Sequence, residues 1–340
     1  RPRIQDGHIM LEDSGLTDER LRSIEHIHII ACGSALHAGM VGRAVIEDLC
    51  RVRCEATVAS EFRYSNPIIS EKDLCIVISQ SGETADSLAA MRQAQAAGAF
   101  TVAIVNVVSS SIAREADGVL YTWAGPEIAV ATTKGYSAQL AALYLIAART
   151  ALARGLLGAD QEAEICRDLL ALPEGIRQAL DCVKTMQCLA SLYSNRSSVF
   201  YLGRGLDYAA GMEASLKLKE ISYVHSEAYA AGELKHGTIS LIEEGTLVVA
   251  LATQERLFEK TVSNIREVAS RGAEVILVTT DEFDGDASVC KSIIRLPTCP
   301  ERFSASLSII PLQLLAYYIA VERSCDVDKP RNLAKSVTVE

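Results

Sequence analysis

The stretch DLCIVISQSGETADSLAAMRQAQAAGAFTVAIVN, residues 73–106, reads as an apolar strand, a polar turn, a helix ending near Gly98 and a second apolar strand. A short apolar run without polar alternation is a strand covered on both faces, and a helix joining two such strands makes them parallel. Working outward, IHIIACGSA (27–35) is another apolar strand ending in a small-residue turn, followed by a helix from about Leu36 to Cys50. Downstream, VLYTWAGPE (119–127) is a short strand and loop, and TTKGYSAQLAALYLIAART (132–150) is a largely apolar helix.

The same succession returns later in the chain. VFYLGRGLD (199–207) matches the first strand and turn, and GTLVVALATQERLFEKTVSNIREVASRGAEVILVTT (245–280) matches the strand-helix-strand unit. IIRLPTCPE (293–301) and SASLSIIPLQLLAYYIAVE (304–322) match the last strand and helix. Gly98 and Gly272, Glu127 and Glu301, Gln139 and Gln313, and Tyr144 and Tyr318 all pair at an offset of 174. A repeat of this length is a domain rather than a solenoid unit.

The expected fold is therefore α/β, with two tandem domains, each a parallel sheet flanked by helices on both faces. Residues 26–150 form the first domain and 197–325 the second. Residues 1–25 are an N-terminal lead-in to which the sequence assigns no element, and 151–196 a helical linker whose pattern is interrupted by Pro173. Residues 326–340 form a tail over the site. In such sheets ligands bind at the carboxyl ends of the strands, so the turns carry the functional information.

Composition narrows the class. The chain has 340 residues, 49% hydrophobic and 22% charged, which suits two packed cores rather than disorder. Its formal charge of −10 and lack of a basic stripe exclude a general nucleic-acid surface, while leaving room for one small phosphorylated ligand. Ten cysteines without a C-x2-C pair, several inside apolar runs, read as buried thiols in a reducing, cytoplasmic compartment. No apolar run reaches the roughly 18 residues of a membrane span, so no membrane partner is expected. The chain opens on Arg1 rather than Met, which reads as an excised fragment or a processed product.

The sharpest local signal is Ser79-Gln80-Ser81-Gly82-Glu83-Thr84, directly between a strand and a helix. Free backbone N–H groups and the positive end of the helix dipole converge there, and Ser79, Ser81 and Thr84 add hydroxyls, with Gln80 able to reach a sugar hydroxyl. A plain helix cap at Thr84 is the competing reading. The second copy, LATQERLF (251–258), lacks the glycine and most of the hydroxyls. Cys32-Gly33-Ser34-Ala35 and Gly203-Arg204-Gly205 are tight strand-to-helix turns, open to ligand or merely packed. No G-x-G-x-x-G is present, so no dinucleotide or other cofactor is expected.

MEASLKLKEISYVHSEAYAAGELKHGTISLI (212–242) is the most reactive-looking stretch. It is helical up to Ile221, with Lys217 and Glu220 three apart and Glu213 one turn back, in an arrangement that a surface ion pair shares. His225, Glu227, Glu233, Lys235 and His236 then crowd before Gly237. No H-E-x-x-H is present, and no metal is expected. The tail PRNLAKSVTVE (330–340) brings Lys335 over the site or is simply an ordered end.

Taken together, CGS before a helix, SQSGET, TTKGYSAQ, EASLKLKEISYVHSEAYAAGELKHG and DKPRNLAKSVTVE resemble the isomerase region of the glucosamine-fructose-6-phosphate aminotransferases, the glucosamine-6-phosphate synthases, built from two sugar isomerase (SIS) domains. The resemblance runs from about residue 25 to the end. It implies that fructose 6-phosphate is opened, condensed with ammonia at C2 and isomerised to glucosamine 6-phosphate, with glucose 6-phosphate as a further ligand. The phosphate would lie on Ser79, Gln80, Ser81 and Thr84, and the sugar against Cys32, Gly33, Ser34, Ala131, Thr132 and the backbone of Ala334. Glu220 would move the proton between C1 and C2, and Lys217 would support charge on the sugar hydroxyls. His236 would open the ring from the partner subunit of a homodimer, and Lys335 would form an imine with the ketose. An N-terminal glutaminase domain would accompany the chain in the full-length protein. Two departures stand out: Ala35, where the family commonly has a hydroxyl, and Thr132, where serine is common. A related phosphosugar deglycase, an aminosugar-phosphate deaminase or a non-catalytic phosphosugar sensor are the alternatives.

Overall fold

Parallel β-α-β units account for both halves of the computed structural model, which describes residues 3–283 and 288–338. It divides into a first unit of residues 3–128, 132–170 and 334–338 and a second of 129–131, 171–283 and 288–333.

The lead-in of the first unit is a small hairpin, β1 (Ile4–Gln5) and β2 (His8–Ile9), followed by α1 (Asp18–Ser23), whose first turn Thr17 caps by accepting from the N–H of Arg20. Next come β3 (His26–Ala31), α2 (Ser34–Cys50), β4 (Arg53–Val58), α3 (Ala59–Tyr64), β5 (Asp73–Ser79) and α4 (Ala85–Ala96). β6 (Phe100–Val105), α5 (Ser111–Glu115), β7 (Gly118–Tyr121) and α6 (Lys134–Ala153) complete the unit. The sheet order is β4-β3-β5-β6-β7, and every pair is parallel. β5 is buried at all seven positions, as a central strand with helices on both faces must be. On one face Ile30, Cys75, Val77, Ala103 and Val105 pack with Phe62 of α3 and Met91 of α4. On the other, α2 packs so closely on Ile29 and on Leu143 of α6 that a Cβ at positions 39 and 42 would meet their methyl groups at 2.7 and 2.8 Å.

α7 (Ala159–Ala179) begins in the first unit and ends in the second, where a short turn leads into α8 (Val183–Tyr193). Contrary to the expected interruption, α7 runs straight through Pro173. The proline removes one N–H from the ladder, and the 21-residue helix carries that loss.

The second unit contains β8 (Ser198–Gly203), α9 (Leu206–Ser222), β9 (His225–Ala230), β10 (Leu247–Ala252), α10 (Phe258–Ala269), β11 (Glu274–Thr280), β12 (Ser292–Leu296) and α11 (Ser304–Glu322). Its order, β9-β8-β10-β11-β12, is that of the first sheet strand for strand. α11 packs against α9 and α8. The expectation that nothing is apolar enough for a membrane span needs correction here, because Glu301–Glu322 meets that test of length and composition. Most of that segment is buried inside the unit, as the core helix of a doubly covered sheet would be.

Candidate functional site

In the first sheet β3 and β5 are adjacent although β4 lies between them in the chain. This reversal of strand order opens a crevice at their carboxyl ends, where ligands of such folds bind. Ala31 pairs with Ile78, so the turn Cys32–Ser34 lies beside the turn Ser79–Thr84.

The second of these turns is built by its own hydroxyls. Ser79 is buried, and its Oγ accepts from the N–H of Gly82 at 3.0 Å and lies 2.9 Å from Oγ1 of Thr84. Ser81 Oγ accepts from the N–H of Glu83 at 3.2 Å. Gly82 has φ +67°, and a Cβ there would meet Oγ of Ser110 at 2.0 Å. The carbonyls of Gln80 and Gly82 accept from Asn106 and Ile112, fastening the turn to the next β-α connection. Glu83 is directed at Ser111, whose hydrogen bonds hold its carboxyl below the ordinary range. Thr84 makes no side-chain cap bond to α4, because its hydroxyl is turned to Ser79. The plain-cap reading of this threonine therefore does not hold.

Three further predicted residues join this end of the first unit. Thr132 precedes α6, and the space beside Gly135 is bounded by Thr132 Oγ1, Glu127 Oε2 and Cγ of Gln80. Thr132 Oγ1 is buried without a hydrogen-bond partner. Ala334 and Lys335 also belong to this unit, and two residues on the carbonyl of Val337 accepts from the N–H of Ala85, the first residue of α4. The tail thus reaches the helix start that follows the SQSGET turn. Lys335 is half-buried and Ala334 exposed.

Lys217, Glu220, His236 and Ala131 belong to the second unit. Lys217 is 2% exposed, a costly position for an ammonium group. Its Nζ lies 3.4 Å from Oε1 of the fully buried Glu213 and is hydrogen-bonded to Oε2 of Glu220, whose side chain keeps 20% exposure. Burial alone would lower the Lys217 pKa, but the two carboxylates outweigh it and the net direction is upward. The lysine therefore stays an ammonium ion between two anions, one sealed and one open to solvent. His236 is exposed, in a turn after β9, with its N–H bonded to the carbonyl of Glu233. Ala131 is buried, next to Val130, whose N–H donates to the carbonyl of Asp328.

In the second sheet the equivalent turns are tied to each other by side chains. Gly205 repeats the backbone of Gly33, with φ +56° in both. Beside it Gln254 donates to the carbonyl of Arg204 at 2.7 Å, and Asp207 accepts from the N–H and hydroxyl of Thr253. Sequence reasoning named Glu127 only as a repeat position. It accepts from the N–H groups of Thr133 and Gly135 at the start of α6, and its repeat partner Glu301 accepts from Glu255. The constant offset was the available signal for both.

The SIS domain family matches residues 20–149 and 191–323. Among solved structures, the C-terminal domain of glucosamine-fructose-6-phosphate aminotransferase from Francisella tularensis superimposes with a TM-score of 0.91 at 35% identity, over 96% of this chain and 92% of that one. The chain belongs to the SIS-domain family, in its glucosamine-fructose-6-phosphate aminotransferase branch. The glutamine–fructose-6-phosphate aminotransferase [isomerizing] of Caldanaerobacter subterraneus is 56% identical to this tandem SIS chain over 337 residues, 99% of the chain and 55% of the relative. That of Clostridium tetani is 54% identical over 335 residues, again covering 55% of the relative. The SIS chain thus spans about half the length of the curated relatives it matches. A Thermotoga maritima glucosamine-6-phosphate deaminase, at 24% identity and a TM-score of 0.74, shares the fold.

Proposed function

We propose that the chain carries the sugar-isomerising half of glucosamine-6-phosphate synthesis, taking fructose 6-phosphate to glucosamine 6-phosphate. The observation that carries this reading is the Glu213–Lys217–Glu220 cluster, because a module that only senses phosphosugars has no need of a buried ammonium beside a half-open carboxylate. The names of the aminotransferase relatives support the choice of substrate.

In this proposal the turn Ser79–Thr84 holds the phosphate with its hydroxyls and the start of α4, and Cys32–Ser34 with Thr132 face the sugar. His236 opens the ring, a task for a group that both accepts and donates protons near neutral pH. Lys335 condenses with C2 of the open ketose, losing water, and ammonia displaces it to leave the C2 imine. Glu220 takes a proton from C1; the electron pair forms C1=C2, and the C=N pair moves to nitrogen, which is protonated. Returning the proton to C2, with loss of the C1 hydroxyl proton, leaves the aldehyde and the C2 amine. Lys217 stays charged throughout and supports negative charge on the sugar oxygens. We further propose a homodimer in which His236 serves the partner's site, a glutaminase region as the ammonia source in the full-length protein, and a cytoplasmic setting consistent with ten free cysteines.

Replacing Glu220 by Gln keeps the hydrogen bond to Lys217 and removes the base. Formation of glucosamine 6-phosphate from fructose 6-phosphate and ammonia should fall by a factor of about 10² to 10⁴, with little change in binding of glucose 6-phosphate. Unaltered turnover by this variant would sink the assignment. Ammonia release from glucosamine 6-phosphate that outpaces its synthesis would favour the deaminase reading.

A further inference from the structure

The strand starts of the first sheet, at the end opposite the turns, carry a second cluster that no step of the proposed reaction uses. His26 of β3 pairs with Asp73 of β5, and His28, two residues on and therefore on the same face, pairs with Glu55 of β4. Nε2 of His28 lies 3.7 Å from Oδ2 of Asp73, and Nε2 of His26 lies 3.9 Å from Oε1 of Glu55. The two imidazole rings are 4.1 Å apart. One ligand atom each from His26, His28 and Asp73 falls within a 4.8 Å span.

His28 and Asp73 are 4% and 7% exposed, yet both histidine Nε2 atoms are buried without a hydrogen-bond partner. A buried ring nitrogen left unanswered forfeits its hydration with nothing in return, and here there are two in one place. An ion pair does not relieve this, because 3.7 Å is too long for a hydrogen bond. Tetrahedral zinc, with bonds of about 2.0–2.1 Å, sets its ligand atoms roughly 3.4 Å apart, so drawing the 4.8 Å span in by about 1.4 Å would satisfy both nitrogens at once. Asp73 is already oriented by the N–H of Ser70, which donates to Oδ2 at 2.7 Å. An open pocket of about 540 Å³ is lined in part by His26 and Asp73. Of the arginines that line it, Arg154 is engaged with the carbonyls of Arg22 and Ile24.

We propose that His26, His28 and Asp73 form a binding site for a divalent transition metal of the zinc class, with Glu55 or water as the fourth ligand. The site is structural: it ties β3 to β5 at the base of the sheet, away from the turns, and β4 as well where Glu55 is the fourth ligand. The absence of a metal expected from residues 212–242 is revised on this different set, which no sequence motif joins.

The test uses the full chain, freed of metal by a chelator and titrated with Zn²⁺ against a chromophoric competitor. One equivalent should bind, and His26→Gln and Asp73→Asn should each weaken it at least about tenfold. His26 is the more accessible of the two, so His26→Gln, checked for native circular dichroism, keeps the test valid if Asp73→Asn unfolds. Co²⁺ bound in place of zinc should show tetrahedral d–d bands without a thiolate charge-transfer band, and Zn²⁺ should raise the melting temperature of the wild type but not of His26→Gln. The proposal is overturned if the folded wild type takes up no equivalent, if His26→Gln binds as tightly, or if a thiolate band assigns the metal to cysteine. It is also overturned if inorganic phosphate, held by the arginines, protects the fold and Zn²⁺ does not.

Discussion

Gly82 links backbone geometry to the phosphate binding proposed for its turn. Its φ of +67° is a left-handed value that costs a residue with a Cβ about 1–2 kcal/mol, and a Cβ there would overlap Ser110. Gly82→Ala should therefore displace the N–H groups of the turn and weaken glucose 6-phosphate binding at least about tenfold by calorimetry. Gly155 has nearly the same φ, +72°, with open space around it, so Gly155→Ala is the control for strain alone and should leave the affinity unchanged. Equal affinities for both variants would remove the phosphate from the turn. The hydroxyl pattern of this turn was legible in the sequence because the chemistry is local. The burial of Lys217 was not. α9 buries most of its residues, so a three-residue spacing looks the same whether the pair faces water or the interior. What made the pair unusual, the sealed Glu213, depended on packing.

At the scale of elements, the β8-α9 and β10 connections of the second unit are locked together by Asp207. It sits in the first turn of α9, is 1% exposed, and accepts from Thr253 N–H at 2.9 Å, Thr253 Oγ1 at 2.5 Å and Gln254 Nε2 at 3.3 Å. Burial raises its pKa from 3.8 to about 6 in spite of these donors. Between those two values the folded chain holds a proton that the unfolded chain releases, so this group makes stability fall as pH rises through the window. The loss is complete above the folded pKa and absent below the unfolded one. The amide of the Asp207→Asn variant cannot titrate. The stability of the wild type relative to Asp207→Asn should therefore decrease by up to about 3 kcal/mol between roughly pH 4 and pH 7. Urea unfolding of both proteins across that range measures it, and a flat difference would mean that the donors offset burial fully. The central strands on either side of this lock were readable as apolar runs, whereas β4 and β9 were not. RCEATV and HSEAYA are edge strands with polar or half-exposed positions, and neither shows the run or the alternation that marks a strand. Helix α7 misled in the other direction, since Pro173 looks like a breaker wherever the surrounding helix is not known to be long.

At the scale of the molecule, the repeat was legible because two copies of one sheet preserve the same strand order, whereas the subunit contacts of a proposed homodimer would leave no period in a sequence. The placement of His236 gives the assembly a functional test. His236 is exposed on its own unit and far in the chain from the Ser79–Thr84 turn, while Glu220 lies on the helix just before β9. If the histidine serves the partner's site, each site of a homodimer takes Glu220 from one chain and His236 from the other. A chain with Glu220→Gln and a chain with His236→Ala are then each inactive alone. In a mixed dimer one site combines both defects and the other combines both intact residues. Random mixing makes half of the dimers mixed, each with one working site of two, so about a quarter of wild-type activity should return after co-refolding or co-expression. If His236 acts within its own chain, every site in the mixture carries one defect and activity stays at the level of the single variants. Sedimentation of the mixture confirms that dimers formed, so that silence from a dimeric sample counts against the shared site rather than against the mixing.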